Sequence, residues 1–257
     1  MISIITAVHN QLAVNRLFYE KIKEYTYHEF ELIIVDNNST DGSREFFHSV
    51  GAKVIENNGN YSYPYCQNQG IDAAEYDVFA FLNNDIVVSP SWDKHFLEVM
   101  QANNLEIVTC CGIERLESKE ATKKIKRRWQ KIKNLLIKLP FSHKFKLMHK
   151  LMYKNWEHFC NQRFHDFSVK TIEGFVGNSV IMTRNAVEKV GKFDVRIQAA
   201  DFDLCMRSIR RFEAFGDIKP IHIALGVFNH HFIRITTKSK PPIFVDAGNL
   251  ISFDKKW

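Results

Sequence analysis

The sequence has few cysteines, and they follow no structural pattern. Five occur among 257 residues, at Cys66, Cys110, Cys111, Cys160 and Cys205. They form no CxxC pair, and their odd number argues against a complete set of disulfides. We therefore expect reduced, mostly buried thiols rather than a disulfide framework.

Long apolar runs are also missing. No stretch approaches the roughly 18 to 20 apolar residues that a membrane-spanning helix needs. Met1 leads directly into Ile2-Ser3-Ile4-Ile5 without a basic leader or cleavage site, which favours a cytoplasmic location. The sequence also has no internal repeat or low-complexity tract, and its 45% hydrophobic and 25% charged residues are typical of a globular protein.

The first half of the chain does contain alternating strand and helix patterns. Apolar residues at helical spacing separate strand candidates at 2–8, 31–36, 52–55, 77–82 and 105–112. Strands separated by helices of this size predict right-handed βαβ units and a mainly parallel sheet. After a break in character, the pattern resumes with a strand at 177–182, a helix at 201–212 and strands at 221–228.

The break is a strongly basic segment. Between Lys119 and Lys154 there are thirteen basic residues and one acid, a net charge of +12, whereas the whole chain carries +6. The rest of the protein is therefore about −6. The location of the charge matters more than the net charge of the chain, because a concentrated charge indicates an interaction surface.

Apolar residues in this segment follow helical spacing and predict two basic amphipathic helices joined at Pro140. The spaced residues are Ile125, Trp129, Ile132, Leu136 and Leu139, then Phe141, Phe145, Met148 and Met152. One hypothesis is peripheral association of 119–154 with an anionic membrane. The alternatives are that the apolar stripes pack on the rest of the domain, or, less favoured, that the segment binds RNA, for which it has no recognisable module.

One apolar run carries a chemical signal at its end. Residues 77–82 read as a buried strand, and Asn83-Asn84-Asp85 follow where ligands bind in open α/β sheets. This indicates a metal site with Asp85 as a ligand. Ordinary turn chemistry, in which short polar side chains bond their own backbone, is the alternative.

Other short motifs follow strands or open helices, and their order along the chain is informative. They are Thr6-Ala7-Val8-His9-Asn10, Asp36 to Ser43, Asn57-Asn58-Gly59, Asn68-Gln69-Gly70, Asn83-Asn84-Asp85, Gly191-Lys192-Phe193-Asp194, Asp201 to Arg207 and His230-His231. In combination they closely resemble the GT-A glycosyltransferases of family 2, the inverting group that builds bacterial surface polysaccharides. The resemblance covers nearly the whole chain except the basic insert and the extreme C-terminus.

The resemblance implies an α/β fold of the GT-A, Rossmann-like type, with a mainly parallel central sheet flanked by helices. We expect one catalytic domain over 1–257. Its nucleotide-binding half would be 1–112, the basic helical insert 113–160, and the acceptor and catalytic half with the C-terminal tail 161–257.

The resemblance also assigns a donor site. Asp36 would accept a hydrogen bond from the N3–H of a pyrimidine, Val8 and Asn10 would border the base and ribose, and Asn68 would close the pocket. The remaining nucleotide-binding candidates are Thr6, Asn38, Asn83 and Asn84.

Asn83-Asn84-Asp85 stands where the family has its DxD motif. Asp85 would bind Mn²⁺ or Mg²⁺ bridging the donor phosphates, which suits a hard cation that takes few protein ligands. Asn83 replaces the common acidic residue. A late histidine would be the second ligand, with His230 preferred and His231 in reserve.

The resemblance makes Asp201, at the start of a helix, the base that takes the proton of the acceptor hydroxyl. Ala200 replaces the acidic residue that usually precedes it. Candidates for lining the donor-sugar and acceptor pocket are Glu173, Gly174, Phe175 and Asp203. A capping role for Asp201, with Asp203 as a first-turn acid, is compatible with the same pattern.

The implied activity is inverting transfer from a nucleoside-diphosphate sugar, UDP first and dTDP next, to a saccharide acceptor. A lipid-linked acceptor in surface-polysaccharide synthesis would place the protein at the inner face of the cytoplasmic membrane, without a nucleic acid partner. A non-catalytic nucleotide-sugar binding module stays as an alternative. A nucleotidyltransferase is less favoured, because the segment from Thr6 to Gln11 has no glycine for a phosphate loop.

Overall fold

The structure is a computed structural model that describes residues 1–139, 144–233 and 242–257. Pro140 and Phe141, the predicted junction of the two basic helices, lie outside the described residues.

A central sheet of eight strands organises the described chain, in the order β3-β2-β1-β4-β8-β6-β9-β7. Its strands are β1 (Ile2–Val8), β2 (Phe30–Asn37), β3 (Lys53–Asn57), β4 (Val78–Leu82), β6 (Ile107–Cys111), β7 (Thr171–Glu173), β8 (Ser179–Thr183) and β9 (His222–Phe228). A separate pair consists of β5 (Ile86–Val87) and β10 (His230–His231).

The strand directions confirm the predicted mainly parallel sheet. The first four strands in the chain run parallel, and β6 runs parallel to β9. β8 lies antiparallel between β4 and β6, and β7 is antiparallel to β9 at the edge. Consequently the carboxyl ends of β1, β2 and β4 meet at one edge of the sheet, where ligands bind in such folds.

Helices flank the sheet on both faces. They are α1 (Leu12–Tyr25), α2 (Ser43–Ser49), α3 (Tyr63–Ala73), α4 (Trp92–Asn103), α5 (Lys119–Leu136), α6 (Lys144–Tyr153), α7 (Trp156–Phe167), α8 (Arg184–Val190), α9 (Ala200–Phe215) and the short α10 (Phe253–Lys256). Because side chains alternate across a strand, Ile4 of β1 joins the core under α1, α2 and α4, whereas Ile5 joins the core under α3, α8 and α9.

The basic insert packs its apolar stripes against the rest of the protein. Trp129 and Leu136 of α5 are buried, as are Phe145, Met148 and Met152 of α6. They share a core with residues of β9 and with Trp156 of α7. The structure thus matches the packing alternative for the stripes, while most of the lysines and arginines of α5 face solvent.

Two findings bear on the predicted insert and on the membrane. Helix α7 crosses position 160, where the insert was expected to end, and it packs on β9. Within the three described ranges, no helix has the length and apolarity needed to cross a bilayer.

The C-terminal segment lies against the loop between β3 and α3. Val245 N–H donates to the Asn60 carbonyl at 2.8 Å, and the Asp246 carboxylate accepts from the Ser62 backbone and hydroxyl at 3.0 and 2.5 Å. The end of the chain therefore packs on the half of the protein that contains β1 to β4.

The packed position of the insert predicts a contrast between two residues of one helix. Trp129→Ala should lower the free energy of unfolding by about 3–5 kcal/mol, because it empties a buried aromatic site. Leu135→Ala, at a side chain that is 72% exposed, should change it by less than about 0.5 kcal/mol. Urea denaturation measures both, and equal small effects would mean that α5 is not packed on the core.

Candidate active site

The Asp36 carboxylate lies at the end of β2 and is fully buried. Its Oδ1 accepts hydrogen bonds from Arg44 Nε and Nη2 at 2.9 and 2.7 Å, and from the Ser39 N–H at 3.0 Å. Its Oδ2 is buried and has no partner in the described structure. A buried carboxylate oxygen left without a donor is costly, so Oδ2 has an unused capacity to accept a hydrogen bond.

The turn after β1 is held to the turn after β2. Asn10 has a left-handed backbone (φ 56°); its N–H donates to Ser39 Oγ at 2.8 Å, and its side-chain Oδ1 accepts from the Thr40 N–H at 2.8 Å. Asn38 is also left-handed, with φ 60°, and its side chain is exposed. These bonds fix the two loops against each other.

Three other nucleotide-binding candidates lie in structural positions. Thr6 and Val8 are buried within β1, although Thr6 Oγ1 has no partner among the described residues. Asn68 uses both ends of its amide on the backbone of Phe193, donating to the carbonyl at 2.8 Å and accepting from the N–H at 3.0 Å. Asn68 therefore links α3 to the segment before α9, and its predicted role in closing the pocket stays a prediction.

The Asn83-Asn84-Asp85 turn follows β4 as predicted, and its three residues have different contacts. Asn83 N–H donates to the Asn178 carbonyl at 3.1 Å, and Asn84 Nδ2 donates to Asn15 Oδ1 at 2.7 Å. Asp85 is 4% exposed, and its Oδ1 lies 3.1 Å from His231 Nε2.

The structure places His231, rather than His230, against Asp85. β10 pairs with β5, and neighbouring residues of a strand point to opposite faces. The His231 ring lies between two carboxylates: Nε2 faces Asp85 and Nδ1 bonds Glu114. Burial alone would lower the pKa of His231, but the two carboxylates raise it to about 10.

His230 faces the other way, into the aromatic core of the insert. It is fully buried against Trp129 and Phe232, and its Nδ1 lies 2.9 Å from the Tyr153 hydroxyl. Burial lowers the pKa of His230 well below its usual value. The preference for His230 as the metal ligand therefore conflicts with its orientation.

Asp201 lies in the first turn of α9, and its carboxylate presses on Gly177. A methyl group at Gly177 would overlap Asp201 Oδ2, so glycine is what admits the carboxylate there. Oδ1 is buried without a partner in the described structure. Burial raises the pKa of Asp201 to about 7, overriding the helix N-terminus, which favours the charged form.

Asp203, a predicted pocket residue, makes structural contacts. It is fully buried and receives Arg207 Nε at 2.8 Å, Lys256 Nζ at 2.5 Å and Trp257 Nε1 at 3.0 Å. Asp201 and Asp203 lie in the same turn of α9, but the Asp203 side chain points toward the C-terminal segment. It anchors α10 to α9.

The 173–177 segment runs along the rim of the site. Glu173 is exposed, and its carbonyl accepts from Arg115 Nη2 at 3.5 Å. Gly174 has φ 131°, a backbone that favours glycine. Phe175 packs edge-on against the exposed Phe202, with ring centroids 4.6 Å apart, so the two rings form an apolar wall beside Asp201.

Asn178 joins the two chemical groups. Its carbonyl accepts from Asn83, and its Nδ2 donates at 3.2 Å to Glu114, the residue that holds His231. The Asp201 carboxylate packs against its neighbour, Gly177. The Asp85 turn and the Asp201 carboxylate therefore meet at adjacent residues.

Sequence patterns did not indicate Arg44, Glu114 or Asn178. Arg44 follows Asp36 by eight positions on α2, a spacing that gives no signal until the loop folds back. Glu114 lies in a short turn closed by a Gly112 to Arg115 bridge. Within the described part of the chain, no group of three or more His, Cys, Asp or Glu could hold a metal by itself.

Comparison with known proteins gives the family. Residues 3–175 match the model of glycosyl transferase family 2, so the chain belongs to that family. Two uncharacterized glycosyltransferases, RT0329 of Rickettsia typhi and RP339 of Rickettsia prowazekii, are each 27% identical over 124 residues, which is 46% of this chain and 38% of the relative. The chain thus spans well under half the length of these relatives.

Solved structures share the fold at low identity. The mannosyltransferase PcManGT from Pyrobaculum calidifontis, in complex with GDP-Man and Mn²⁺, has a TM-score of 0.53 at 13% identity, covering 86% of this chain and 56% of that one. TarS 1–349 of S. aureus, in complex with UDP-GlcNAc, has a TM-score of 0.54 at 12% identity, covering 89% and 58%. These neighbours confirm the GT-A fold.

The raised pKa of Asp201 predicts a pH-dependent gain from its removal. An aspartate whose pKa is raised by folding favours the native state at acid pH, and this contribution is lost as the pH rises from about 4 through about 7. Asp201→Asn should therefore raise the melting temperature at pH 8, and the gain should shrink toward pH 4.

Asp203→Asn is the matched control, since it weakens the contacts with Arg207 and Lys256 and should lower the melting temperature at pH 8. Thermal melts across this pH range measure both variants. If both variants lowered the melting temperature at pH 8 to the same extent, burial of the Asp201 carboxylate would not destabilise the native protein.

Proposed function

We propose that this family 2 chain transfers a sugar from a nucleoside-diphosphate sugar to a saccharide acceptor with inversion at the anomeric carbon. The observation that carries the proposal is the meeting of the Asp85 turn and the buried Asp201 carboxylate at Gly177 and Asn178. In this proposal the Asp85 turn would bind the leaving diphosphate, and Asp201 would act as the base on the opposite side of the same sugar. Binding of nucleotide sugars by the two structural neighbours supports this donor class.

The donor base would lie on Asp36. Its Oδ2 has no partner, while Arg44 and Ser39 hold Oδ1, so the free oxygen is oriented to accept the N3–H of uracil or thymine. Cytosine offers no proton at N3 and would leave Oδ2 unsatisfied, which costs about 1–3 kcal/mol. Guanine also offers a ring N–H to such an oxygen, so the preference for a UDP-sugar, with a dTDP-sugar next, rests on the family resemblance.

The diphosphate side would be formed by Asp85 and His231. A buried carboxylate oxygen and an imidazole nitrogen 3.1 Å apart would be ligands for Mn²⁺ or Mg²⁺, with the cation displacing the proton that His231 Nε2 shares with Asp85. Glu114 holds the far nitrogen of His231 and orients the ring, as such partners do for metal-binding histidines. The bound cation would stabilise the charge that develops on the leaving diphosphate.

Asp201 would act on the acceptor. Its carboxylate takes the proton of the attacking hydroxyl as the new glycosidic C–O bond forms and the bond from the anomeric carbon to the diphosphate breaks. A pKa of about 7 suits this role, because the ionised form is then abundant near neutral pH and still basic. Phe175 and Phe202 would provide an apolar surface for a sugar ring.

The structure leaves fewer groups for a membrane contact than the sequence suggested. The stripes of the insert are packed inward, so any contact with anionic lipid would use the exposed cationic face of α5 and would be electrostatic. Synthesis of a surface polysaccharide on a lipid-linked acceptor stays a prediction.

The function is tested by incubating the protein with UDP-, dTDP- and GDP-sugars, with and without Mn²⁺, and measuring released nucleoside diphosphate by mass spectrometry. We expect Mn²⁺-dependent release from one pyrimidine donor. Asp201→Asn should lower the rate of transfer by roughly 10²- to 10⁴-fold, the usual contribution of a general base. No release from any donor, together with no thermal stabilisation by nucleotide, would contradict the proposal.

A second variant tests the placement of the base. Gly177→Ala should lower the transfer rate about 100-fold, because its methyl group displaces the Asp201 carboxylate. Gly248→Ala is the matched control, since a methyl group there meets nothing within 4 Å and should leave the rate unchanged. Equal rates in both variants would remove the Gly177 contact from the mechanism.

The metal assignment is tested by comparing two adjacent histidines. His231→Gln should weaken Mn²⁺ binding in the presence of UDP by at least about tenfold, measured as the Mn²⁺ concentration that half-saturates the thermal shift. His230→Gln should lower the melting temperature by removing the Tyr153 contact, yet keep the Mn²⁺ response. The reverse pattern would restore His230 as the ligand.

A further inference from the structure

An open groove of about 690 Å³ lies between α5 and the turn that follows β6. Its charged lining is mostly cationic: Arg115, Lys119, Lys123, Lys126 and Arg127. Glu117 is the carboxylate among the described lining residues, and it already accepts from Arg163 Nη2 at 2.8 Å. The groove therefore presents unbalanced positive charge.

A second groove, of about 480 Å³, continues this surface along α5. It shares Lys123 and Arg127 with the first and adds Lys124, Arg128 and Lys131, with Glu120 as its acid. In the described ranges, none of the eight cations of the two grooves has a carboxylate within the 4.0 Å of an ion pair. We call the two together the α5 groove.

The α5 groove begins beside the catalytic rim. Arg115 donates to the Glu173 carbonyl, and its Nη1 lies 2.5 Å from the position a side chain would take at Gly174. Gly177, against which the Asp201 carboxylate packs, is three residues after Gly174. Its Cα therefore lies at most roughly 11 Å from the Cα of Gly174. A single extended molecule can reach both.

We propose that the α5 groove binds the acceptor and that this acceptor is a saccharide chain carrying phosphate groups. The inference rests on the proposed function, because it takes Asp201 as the base. Arginine forks and lysine ammonium groups are the usual partners of phosphate, and an open groove admits a chain. The donor diphosphate is assigned to Asp85 and His231, so these cations serve another anion.

Several observations favour an acceptor chain over a lipid surface. The cations line concave surfaces and begin at the rim of the Asp201 site. The apolar stripe of α5, which an interfacial helix would insert into lipid, is packed on the core. A membrane would have to be met by the cationic face alone.

The test measures binding of fluorescein-labelled inorganic polyphosphate by fluorescence anisotropy. The double variant Lys123→Glu with Arg127→Glu reverses the two cations that both grooves share. Lys23→Glu with Lys255→Glu makes the same charge change at two exposed lysines outside the α5 groove. Thermal melts establish that both variants are folded.

We expect the wild-type protein to bind the probe with an affinity that falls as salt rises. The groove variant should bind at least tenfold more weakly, and the control should keep wild-type affinity to within twofold. A phosphorylated pentamannose should displace the probe, and the same saccharide after phosphatase treatment should not.

Two results would overturn the proposal. Equal loss of probe binding in both double variants would mean that the net charge of the protein, and not the α5 groove, determines the affinity. Displacement by phosphatidylglycerol vesicles at a lower phosphate concentration than the phosphorylated saccharide requires would assign the groove to a membrane.

The proposed function fails separately from the groove. If the wild-type protein releases no nucleoside diphosphate from any donor but the probe result holds, the transferase mechanism is wrong and the anion-binding groove stands.

Discussion

The contact between Gly177 and the Asp201 carboxylate is the constraint on which the proposed chemistry depends. It leaves one carboxylate oxygen against the backbone and the other buried without a partner, and burial raises the pKa of the acid to about 7. Since β8 begins two residues later between β4 and β6, the sheet itself fixes where this contact lies. The neighbouring Asn178 bonds the Asp85 turn through its carbonyl and Glu114 through its side-chain amide.

Some charged residues near the site are paired with each other and stabilise the fold, whereas others have no ion-pair partner among the described residues. Asp203 is two positions from Asp201 on the same helix, yet it is paired with Arg207 and Lys256 and stabilises the C-terminal segment. The cations of the α5 groove, in contrast, have no carboxylate partners among the described residues. Unpaired charge at the rim of the site is what a substrate would neutralise, so the cationic face of the insert is assigned to the proposed acceptor, while its apolar face belongs to the fold.

Much of the fold could be predicted from the sequence, because apolar runs and helical spacing are local signals. The strands ending at Asp36 and before Asp85 were found in this way, and the structure confirms a mainly parallel sheet. The choice between His230 and His231 needs the pairing of β10 with β5, which joins positions about 145 residues apart and leaves no local pattern. The contacts of Asn68 and Asp203 could not be predicted for the same reason, since their partners at Phe193 and Lys256 are remote in sequence.

The most direct measurement is a crystal structure of the protein with Mn²⁺ and UDP. The account predicts the uracil N3–H on Asp36 Oδ2, Mn²⁺ bound by Asp85 and His231, and the Asp201 carboxylate still against Gly177, facing the diphosphate. A nucleotide bound away from Asp36, or a metal bound without Asp85, would contradict it.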